Sequence, residues 1–396
     1  MISEKMKGFV VNSSAIRAMF EEGKKMAAQY GAENVYDFSL GNPNVPAPRE
    51  VAEAIRQVLD EEDPVLVHGY MNNSGYEDVR EAVADSLNKK YGTRYGASNI
   101  LMTVGAAGGM NVFFKTILNP GDEVITVSPY FGEYRSYVGN YDGKLVAVPA
   151  MPDTFQPDAE GIRDAITERT RALILNSPNN PTGAVYTRES IEAVAAVLRE
   201  AEERFGNPIY LFSDEPYREI AYDGIDVPWV PSMYADAIVG YSYSKSLSLP
   251  GERIGYLVIP SGIEGFEDFI AAANTANRIL GFVNAPSLMQ RAVAKCLDCS
   301  SDVGFYDANR RILTENLAAF GFTFVEPKGA FYLWIKSPEA DEKAFVRKAK
   351  EERILIVPGS SFGCAGWVRL AYCVSRHTVE GALSGFAKLA GDYGLS

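Results

Sequence analysis

Strand-like and helix-like segments alternate along the middle of this 396-residue chain. Apolar runs at 145–148, 172–175 and 209–212 are typical of buried strands, and segments with helical spacing lie between them at 158–167 and 188–205. Alternating strand and helix units predict an α/β fold with a mostly parallel, doubly wound sheet. Ligands of such sheets bind beyond the carboxyl ends of the strands. Residues that directly follow these strands are therefore the first candidates for a functional site.

The pattern changes after residue 259 and predicts a second, smaller unit. Helical spacing dominates there, and short strand-like runs follow at 322–325, 331–335, 354–357 and 367–373. We expect this part to form an α+β domain together with the N-terminal segment. The predicted domains are 46–284 for the large one, and 1–45 with 285–396 for the small one.

Two helix signals precede the alternating region. Residues 13–30 have helical spacing, and Ser74-x-x-Glu77 has the form of a capping box that opens a helix to about residue 90.

Composition and charge narrow the classes of partner. The chain is 47% hydrophobic and 22% charged, which is typical of globular proteins. A net charge of −13 argues against non-specific binding of nucleic acid or anionic membranes. The N-terminal residues lack the apolar core and cleavage site of a signal peptide, and no apolar run reaches transmembrane length. We expect a cytoplasmic protein.

The cysteines do not indicate a metal site. Four cysteines in a chain of this length are no disulfide framework. Cys296-x-x-Cys299 has the spacing of half a zinc or redox site, but the sequence has no second C-x-x-C, and His68 and His377 are its only histidines. We predict buried or partly buried thiols and no metal.

A lysine lies at the end of a predicted strand within residues 236–256. The apolar run 237–241 leads into Ser242-Tyr243-Ser244-Lys245-Ser246, and Arg253 follows after a Pro-Gly turn. A lysine that does covalent chemistry forms a Schiff base with a carbonyl and needs surroundings that favour the neutral amine. The nearby hydroxyls and Arg253 suit an anion such as a phosphate. Together these features suggest pyridoxal phosphate, although a lone lysine is more often a solvated surface residue.

Two further polar motifs follow predicted strands. Asp214-Glu215-Pro216-Tyr217 follows the run 209–212, and Asn176-Ser-Pro-Asn-Asn-Pro-Thr-Gly183 follows the run 172–175. With the Lys245 stretch, this ordered set resembles the class I/II aminotransferases, which are fold-type I pyridoxal-phosphate-dependent enzymes like aspartate aminotransferase. The resemblance covers nearly the whole chain. It implies the cofactor pyridoxal 5'-phosphate and a homodimer with shared active sites.

A glycine-rich turn lies between a predicted strand at 100–104 and a helical run at 110–118. The turn, Gly105-Ala-Ala-Gly-Gly109, offers free backbone N–H groups and a positive helix end, both of which suit phosphate. Such turns also serve close packing. The resemblance implies that Ala106 and Ala107 bind the cofactor phosphate through their N–H groups.

The resemblance also implies roles for the other cofactor residues. Lys245 is the expected Schiff-base lysine and the general base and acid, and Asp214 is the expected partner of the protonated ring nitrogen. From pattern alone, a strand-end aspartate fits a helix cap or salt bridge as well, and an aromatic there fits the core. The remaining implied contacts are Phe131 stacked on the ring, Tyr217 and Asn180 at its phenolic oxygen, and Ser242, Arg253 and Tyr70 of the partner subunit at the phosphate.

Substrate binding is expected at Arg369. Its guanidinium suits bidentate binding of a carboxylate, although an arginine on a strand also fits an edge facing solvent. The resemblance implies that Arg369 binds the substrate α-carboxylate, with Gly41 and Asn180 nearby. Arg278 lies in the region where relatives place a second arginine for a distal carboxylate, but it cannot be matched to that position.

The predicted reaction moves an amino group from an amino acid to a 2-oxo acid, with glutamate or aspartate expected on one side. The closest alternative is a β-eliminating C–S lyase of the same fold, which shares these cofactor residues. A regulator of this fold needs an added DNA-binding domain, for which there is no room before Gly41. The presence of Lys245 and Asp214 argues against an inactive scaffold.

Overall fold

The structure, a computed structural model, describes residues 2–11 and 15–395. The start of the helix predicted at 13–30 lies outside the described residues, and its described part is helical. The strands are β1 Tyr36–Asp37, β2 Ile100–Thr103, β3 Glu123–Ser128, β4 Lys144–Pro149, β5 Thr170–Asn176, β6 Tyr210–Asp214, β7 Ala237–Ser242, β8 Gly255–Val258, β9 Phe324–Val325, β10 Tyr332–Lys336, β11 Ile354–Leu355, β12 Val357–Pro358 and β13 Trp367–Ala371.

Helices lie between many of these strands and near both ends of the described chain. They are α1 Glu4–Val11, α2 Ala15–Tyr30, α3 Arg49–Glu61, α4 Pro64–His68, α5 Glu77–Tyr91, α6 Gly105–Ile117, α7 Tyr134–Gly139, α8 Ala159–Ala165, α9 Arg188–Phe205, α10 Tyr243–Ser246, α11 Phe266–Ile279, α12 Ser287–Ala294, α13 Val303–Ala319, α14 Glu342–Glu351 and α15 Arg376–Asp392. Among the residues that the structure describes, no helix is both long and apolar enough to cross a membrane.

A seven-stranded sheet in the order β2-β8-β7-β6-β5-β3-β4 forms the centre of the molecule. Strands β7, β6, β5, β3 and β4 pair in parallel, whereas β8 runs antiparallel to both β2 and β7. The predicted mostly parallel α/β sheet is confirmed. The carboxyl ends of β5, β6 and β7 lie side by side at one edge, which brings the three strand-end motifs together.

Helices cover both faces of this sheet because successive strand residues point to opposite sides. On β5, Leu173 packs into the apolar cluster with α8 and α9, and the next residue, Ile174, packs with α6, α7 and α11. Strand β5 is therefore buried on both faces, and its run 172–175 has no polar alternation. The layer order is helix, sheet, helix, which is the doubly wound arrangement that the sequence predicts.

The C-terminal part forms a second, antiparallel sheet in the order β12-β13-β10-β9. The N-terminal strand β1 pairs in parallel with β11, with Tyr36 opposite Ile354. Phe38 and Phe386 belong to the apolar cluster of this part of the molecule, so the N-terminal segment packs with the C-terminal residues. The run predicted as one strand at 354–357 is in fact two short strands in different sheets.

The capping box predicted at Ser74 is wrong. Helix α5 begins at Glu77 after Tyr76, and no side chain caps it. The backbone oxygen of Ser74 instead accepts a hydrogen bond from the N–H of Met102, and the N–H of Tyr76 donates to Gln290 Oε1. A tertiary contact thus satisfies the N–H of Tyr76, one of the free donors at the start of α5.

Candidate active site

A cavity of about 330 Å³ opens at the carboxyl ends of β5, β6 and β7. Its wall brings together every predicted site residue except Tyr70, although these residues are distributed over most of the chain. Tyr70 lies between α4 and α5, outside this wall, with 91% of its surface exposed. The predicted residues in the wall are Gly41, Ala106, Ala107, Phe131, Asn180, Asp214, Tyr217, Ser242, Lys245, Arg253 and Arg369.

Lys245 lies on α10, a single helical turn that directly follows β7. Ser242 caps this turn by accepting a hydrogen bond from the N–H of Ser244. The Lys245 Nζ donates to the backbone oxygen of Gly41 at 2.7 Å. Burial lowers the pKa of Lys245 to about 8, and the positive charges of Arg253 and Arg369 act in the same direction. A larger share of the amine is therefore neutral near pH 7 than for an exposed lysine, which suits a nucleophile.

Asp214 ends β6 and is buried in the same wall. Its Oδ2 accepts a hydrogen bond from the hydroxyl of Tyr134 and lies 3.4 Å from Asn176 Nδ2. Its Oδ1 has no hydrogen-bond partner among the described residues. Burial raises the pKa of Asp214 to about 7, and the Tyr134 hydrogen bond opposes this rise. The unpaired oxygen leaves Asp214 able to bind a donor such as a protonated ring nitrogen.

The start of α6 and Arg253 form a positive corner of the cavity. Gly105 has a φ of +67°, and a Cβ there would lie 2.7 Å from Arg253 Nη2. Glycine thus permits both the left-handed backbone and the close approach of the guanidinium. Arg253 Nη1 donates to the backbone oxygen of Pro250 at 2.9 Å and lies 3.4 Å from Ser244 Oγ. A helix N-terminus beside an arginine is suited to a phosphate.

Aromatic side chains close the cavity around these polar groups. The ring of Phe131 meets that of Tyr134 edge to face, with centroids 5.7 Å apart. The hydroxyls of Tyr217 and Tyr332 lie 2.7 Å apart, and their rings are also in an edge-to-face arrangement. These contacts hold Tyr217 in the wall, where its hydroxyl can form a hydrogen bond with a ligand.

Arg369 lies in β13 and is fully buried. Its Nη1 donates to Asn180 Oδ1 at 3.1 Å, and its Nη2 donates to the backbone oxygen of Ser39. Tyr332 and Phe362 flank the guanidinium, each with a ring centroid 4.7 Å away. Burial lowers the pKa of Arg369. Because these hydrogen-bond acceptors are neutral, the guanidinium retains a positive charge that a carboxylate can neutralise.

Sequence reasoning missed three residues that shape the site. Tyr134 and Asn176 position Asp214, and Tyr332 contacts both Tyr217 and Arg369. Asn176 could have been predicted from the sequence, because it is the first residue of a strand-end motif. Tyr134 and Tyr332 look like ordinary core aromatics, because nothing local distinguishes a tyrosine that faces a cavity.

Arg278 does not line this cavity. It lies exposed in the last turn of α11. Within the described residues of one chain, Arg278 is therefore not positioned to bind the distal carboxylate of a substrate in this cavity.

The cysteines are free thiols. Across residues 2–11 and 15–395, no group of three or more His, Cys, Asp or Glu side chains is arranged to hold a metal ion.

Comparison with known proteins decides the family. The model of the family described as aminotransferase class I and II matches residues 33–386. The chain belongs to this family. The aspartate/prephenate aminotransferase of Thermus thermophilus is 33% identical over 361 residues, which cover 89% of this chain and 90% of that protein. The aromatic-amino-acid aminotransferase 2 of Thermococcus litoralis is 30% identical and covers 96% of both chains.

Solved structures extend the comparison to the fold. A crystal structure of an amino transferase from Eubacterium rectale matches with a TM-score of 0.97 and 44% identity, over 99% of each chain. The aminotransferase fold expected from the sequence motifs is therefore confirmed over nearly the whole chain.

Proposed function

We propose that this member of the aminotransferase family is a pyridoxal-phosphate-dependent transaminase, which moves an amino group from an amino acid to a 2-oxo acid. Family membership supports the reaction class, and the relatives are named as aminotransferases. One structural observation carries the proposal: Lys245, with its lowered pKa, lines the same cavity as Asp214, whose Oδ1 is unpaired.

The residues of the cavity fit pyridoxal phosphate. The unpaired Oδ1 of Asp214 is an acceptor for a protonated ring nitrogen. The positive corner at Gly105 and Arg253 suits the phosphate. When bound, the cofactor supplies an electron-accepting ring that stabilises negative charge at the substrate Cα.

We assign the cofactor contacts to residues of this wall. Asp214 holds the ring nitrogen, Phe131 packs on the ring, and Tyr217 and Asn180 donate to the phenolic oxygen. The phosphate is held by the N–H groups of Ala106 and Ala107, by Ser242 and by Arg253, with Tyr70 of the partner subunit as a further donor.

Lys245 has two tasks in this proposal. Its Nζ would hold the cofactor, and the free amine would accept the proton from the substrate Cα as general base and then donate it again as general acid. A pKa of about 8 suits an amine that works in both directions, because both protonation states are populated near neutral pH.

Arg369 binds the substrate α-carboxylate, with Gly41 and Asn180 beside it. The amino donor on one side is glutamate or aspartate in our proposal. Two of the relatives are named for aspartate and prephenate and for aromatic amino acids, which supports both acidic and aromatic substrates.

We also propose a homodimer with shared active sites. Val65 and Leu66 on α4 are 79% and 64% exposed, and Tyr70 follows them closely in the chain, so this segment presents exposed apolar side chains that a second copy can cover. A Tyr70→Phe variant with weaker cofactor retention and an unchanged dimer supports this placement, and unchanged retention contradicts it.

The remaining proposals concern organisation and location. We propose a cytoplasmic protein with a large domain at 46–284 and a small domain formed by 1–45 with 285–396. The pairing of β1 with β11 supports a small domain made from both ends of the chain.

The alternative of a C–S lyase is not favoured by the named relatives. A spectral experiment separates the two reactions. Glutamate or aspartate should decrease the absorbance of the lysine-bound cofactor, and a 2-oxo acid should restore it. Release of pyruvate and ammonia from cystathionine, without such a reversible change, would replace the transaminase proposal by the lyase.

A further inference from the structure

A second cavity, of about 380 Å³, lies on the other side of the helical turn that carries Lys245. Tyr243 and Ser246 line this second cavity, whereas Ser244 and Lys245 line the candidate active site. One short helix, α10, thus contributes to two separate walls. The second cavity is distinct from the site described above, although the two are close neighbours.

Three tyrosines give the second cavity an unusual wall. Tyr241 on β7 and Tyr256 on β8 are opposite each other in the sheet and stack with centroids 4.8 Å apart. Tyr243 meets Tyr241 edge to face at 5.2 Å. This sheet face is packed under α5 and α12, where aliphatic side chains would fill space without polar groups. Phenols bring hydroxyls into a buried place, and buried hydroxyls need partners.

Three polar atoms of this wall have no hydrogen-bond partner among the described residues. They are the hydroxyl of Tyr243, a residue only 4% exposed, the Oε2 of Glu219 and the indole Nε1 of Trp229. The hydroxyl of Tyr241, by contrast, donates to Ser246 Oγ at 2.8 Å. The other oxygen of Glu219 lies 3.5 Å from Lys90 Nζ. Of these three atoms, the Glu219 oxygen and the Tyr243 hydroxyl can accept a hydrogen bond from a ligand, whereas the Trp229 N–H can only donate one.

The other charges of the wall are already paired. Glu215 forms a buried ion pair with Arg218, which also donates to the backbone oxygens of Val227 and Pro228. Lys89 and Asp298 face each other across 3.9 Å, and both are mostly exposed. Glu219 faces Lys90 through Oε1 only, so its Oε2 is the carboxylate oxygen of this wall that an entering cation can reach.

We propose that this second cavity binds a small organic cation, in which an ammonium group is attached to a compact apolar body. The ammonium N–H donates to Glu219 Oε2, and Tyr243 Oη accepts as well. Tyrosine ring faces also attract cations. The apolar body packs against Val83 and Leu87 of α5, which line the same cavity.

Calorimetric titration of the holoenzyme with N,N-dimethylbenzylamine tests the proposal. This amine is protonated at neutral pH and, being tertiary, does not condense with a carbonyl. We expect saturable binding of one molecule per chain with a Kd of about 1 mM or lower, as for ligands of about ten non-hydrogen atoms. The neutral analogue N,N-dimethylbenzamide should bind at least about tenfold more weakly.

Matched variants locate the binding. Glu219→Gln keeps the shape of the wall and should weaken binding by about tenfold or more, and Tyr243→Phe should weaken it less. Glu203→Gln, on an exposed helix position, and Asn180→Ala, in the active-site cavity, should leave it unchanged. The proposal is overturned if wild type shows no saturable binding, if Glu219→Gln binds as wild type does, or if Asn180→Ala abolishes binding.

Discussion

The hydroxyl of Tyr134 donates a hydrogen bond to Oδ2 of Asp214, and the opposite oxygen of that carboxylate is unpaired among the described residues. Tyr134 therefore fixes the rotation of the carboxyl group and directs Oδ1 towards a ligand. It also favours the ionised carboxylate in a place where burial raises the pKa of Asp214 to about 7.

Replacing Tyr134 by phenylalanine should move the pH profile of activity. Loss of this hydrogen bond raises the pKa of Asp214 further, so the acidic limb of kcat/KM should shift to higher pH by about one unit. The matched control is Tyr130→Phe, since Tyr130 stacks on Tyr134 but its hydroxyl bonds to Arg135. Superimposable profiles for wild type and Tyr134→Phe would show that this hydrogen bond has no influence on the reaction.

Asp214→Asn should remove both the pH-dependent loss of stability that a buried carboxyl causes and the activity that depends on its charge. Because its pKa rises from 3.8 to about 7 on folding, the ionised form is less favourable in the folded state. The cofactor-free wild type should therefore lose stability as pH rises from about 4 to 7, by at most about 4 kcal/mol. Asparagine has no charge to bury, so urea unfolding of the variant should lack this loss.

The same Asp214→Asn variant, loaded with cofactor, should lose activity by about two orders of magnitude or more. The reason is that asparagine cannot hold a proton on the ring nitrogen by its charge. Retained phosphate-dependent cofactor binding shows that the fold is intact. Activity within a few-fold of wild type would remove Asp214 from the mechanism.

Much of the site follows from sequence because of sheet geometry. Asn180 and Lys245 follow β5 and β7, Asp214 is the last residue of β6, and neighbouring parallel strands bring their carboxyl ends to one edge. Tyr332 and Tyr134 could not be assigned in this way. Tyr332 comes from β10 of the other sheet, so its place depends on how the two parts of the molecule pack.

Cofactor attachment to the cofactor-free protein should depend on pH through Lys245. The neutral amine is the nucleophile, and burial lowers the pKa of Lys245 to about 8. The rate of attachment, followed by absorbance, should rise about tenfold per pH unit below pH 8 and level off above it. Lys245→Arg should bind the cofactor without the absorbance of a lysine linkage. Appearance of that absorbance in the variant would show that another amine is the anchor.

Arg369→Lys should impair substrate binding selectively. A lysine cannot keep contacts with both Asn180 and the backbone of Ser39 while also presenting a planar fork to a carboxylate. KM for the amino acid should rise by about 10- to 100-fold, with little change in cofactor affinity. Arg376→Lys, at an exposed ion pair with Glu380, is the control. An unchanged KM would assign the α-carboxylate to another residue.

Gly105→Ala tests whether the close approach of Arg253 to the start of α6 matters for phosphate binding. Gly92→Ala is a matched control, because Gly92 has a similar φ of +69° but a Cβ added there would meet no heavy atom within 4 Å. Both variants should lose about 1 kcal/mol of stability from the left-handed backbone. Only Gly105→Ala places a Cβ 2.7 Å from Arg253 Nη2, so only it should displace the guanidinium.

The consequence should appear in the comparison of two ligands. Gly105→Ala should weaken binding of pyridoxal phosphate by at least about tenfold, whereas pyridoxal, which lacks the phosphate, should be affected much less. Gly92→Ala should change neither affinity. Equal losses for the two ligands would indicate general damage to the cavity, and the phosphate role of Arg253 would then have to be abandoned. A selective loss places the phosphate where the N-terminus of α6 and Arg253 meet.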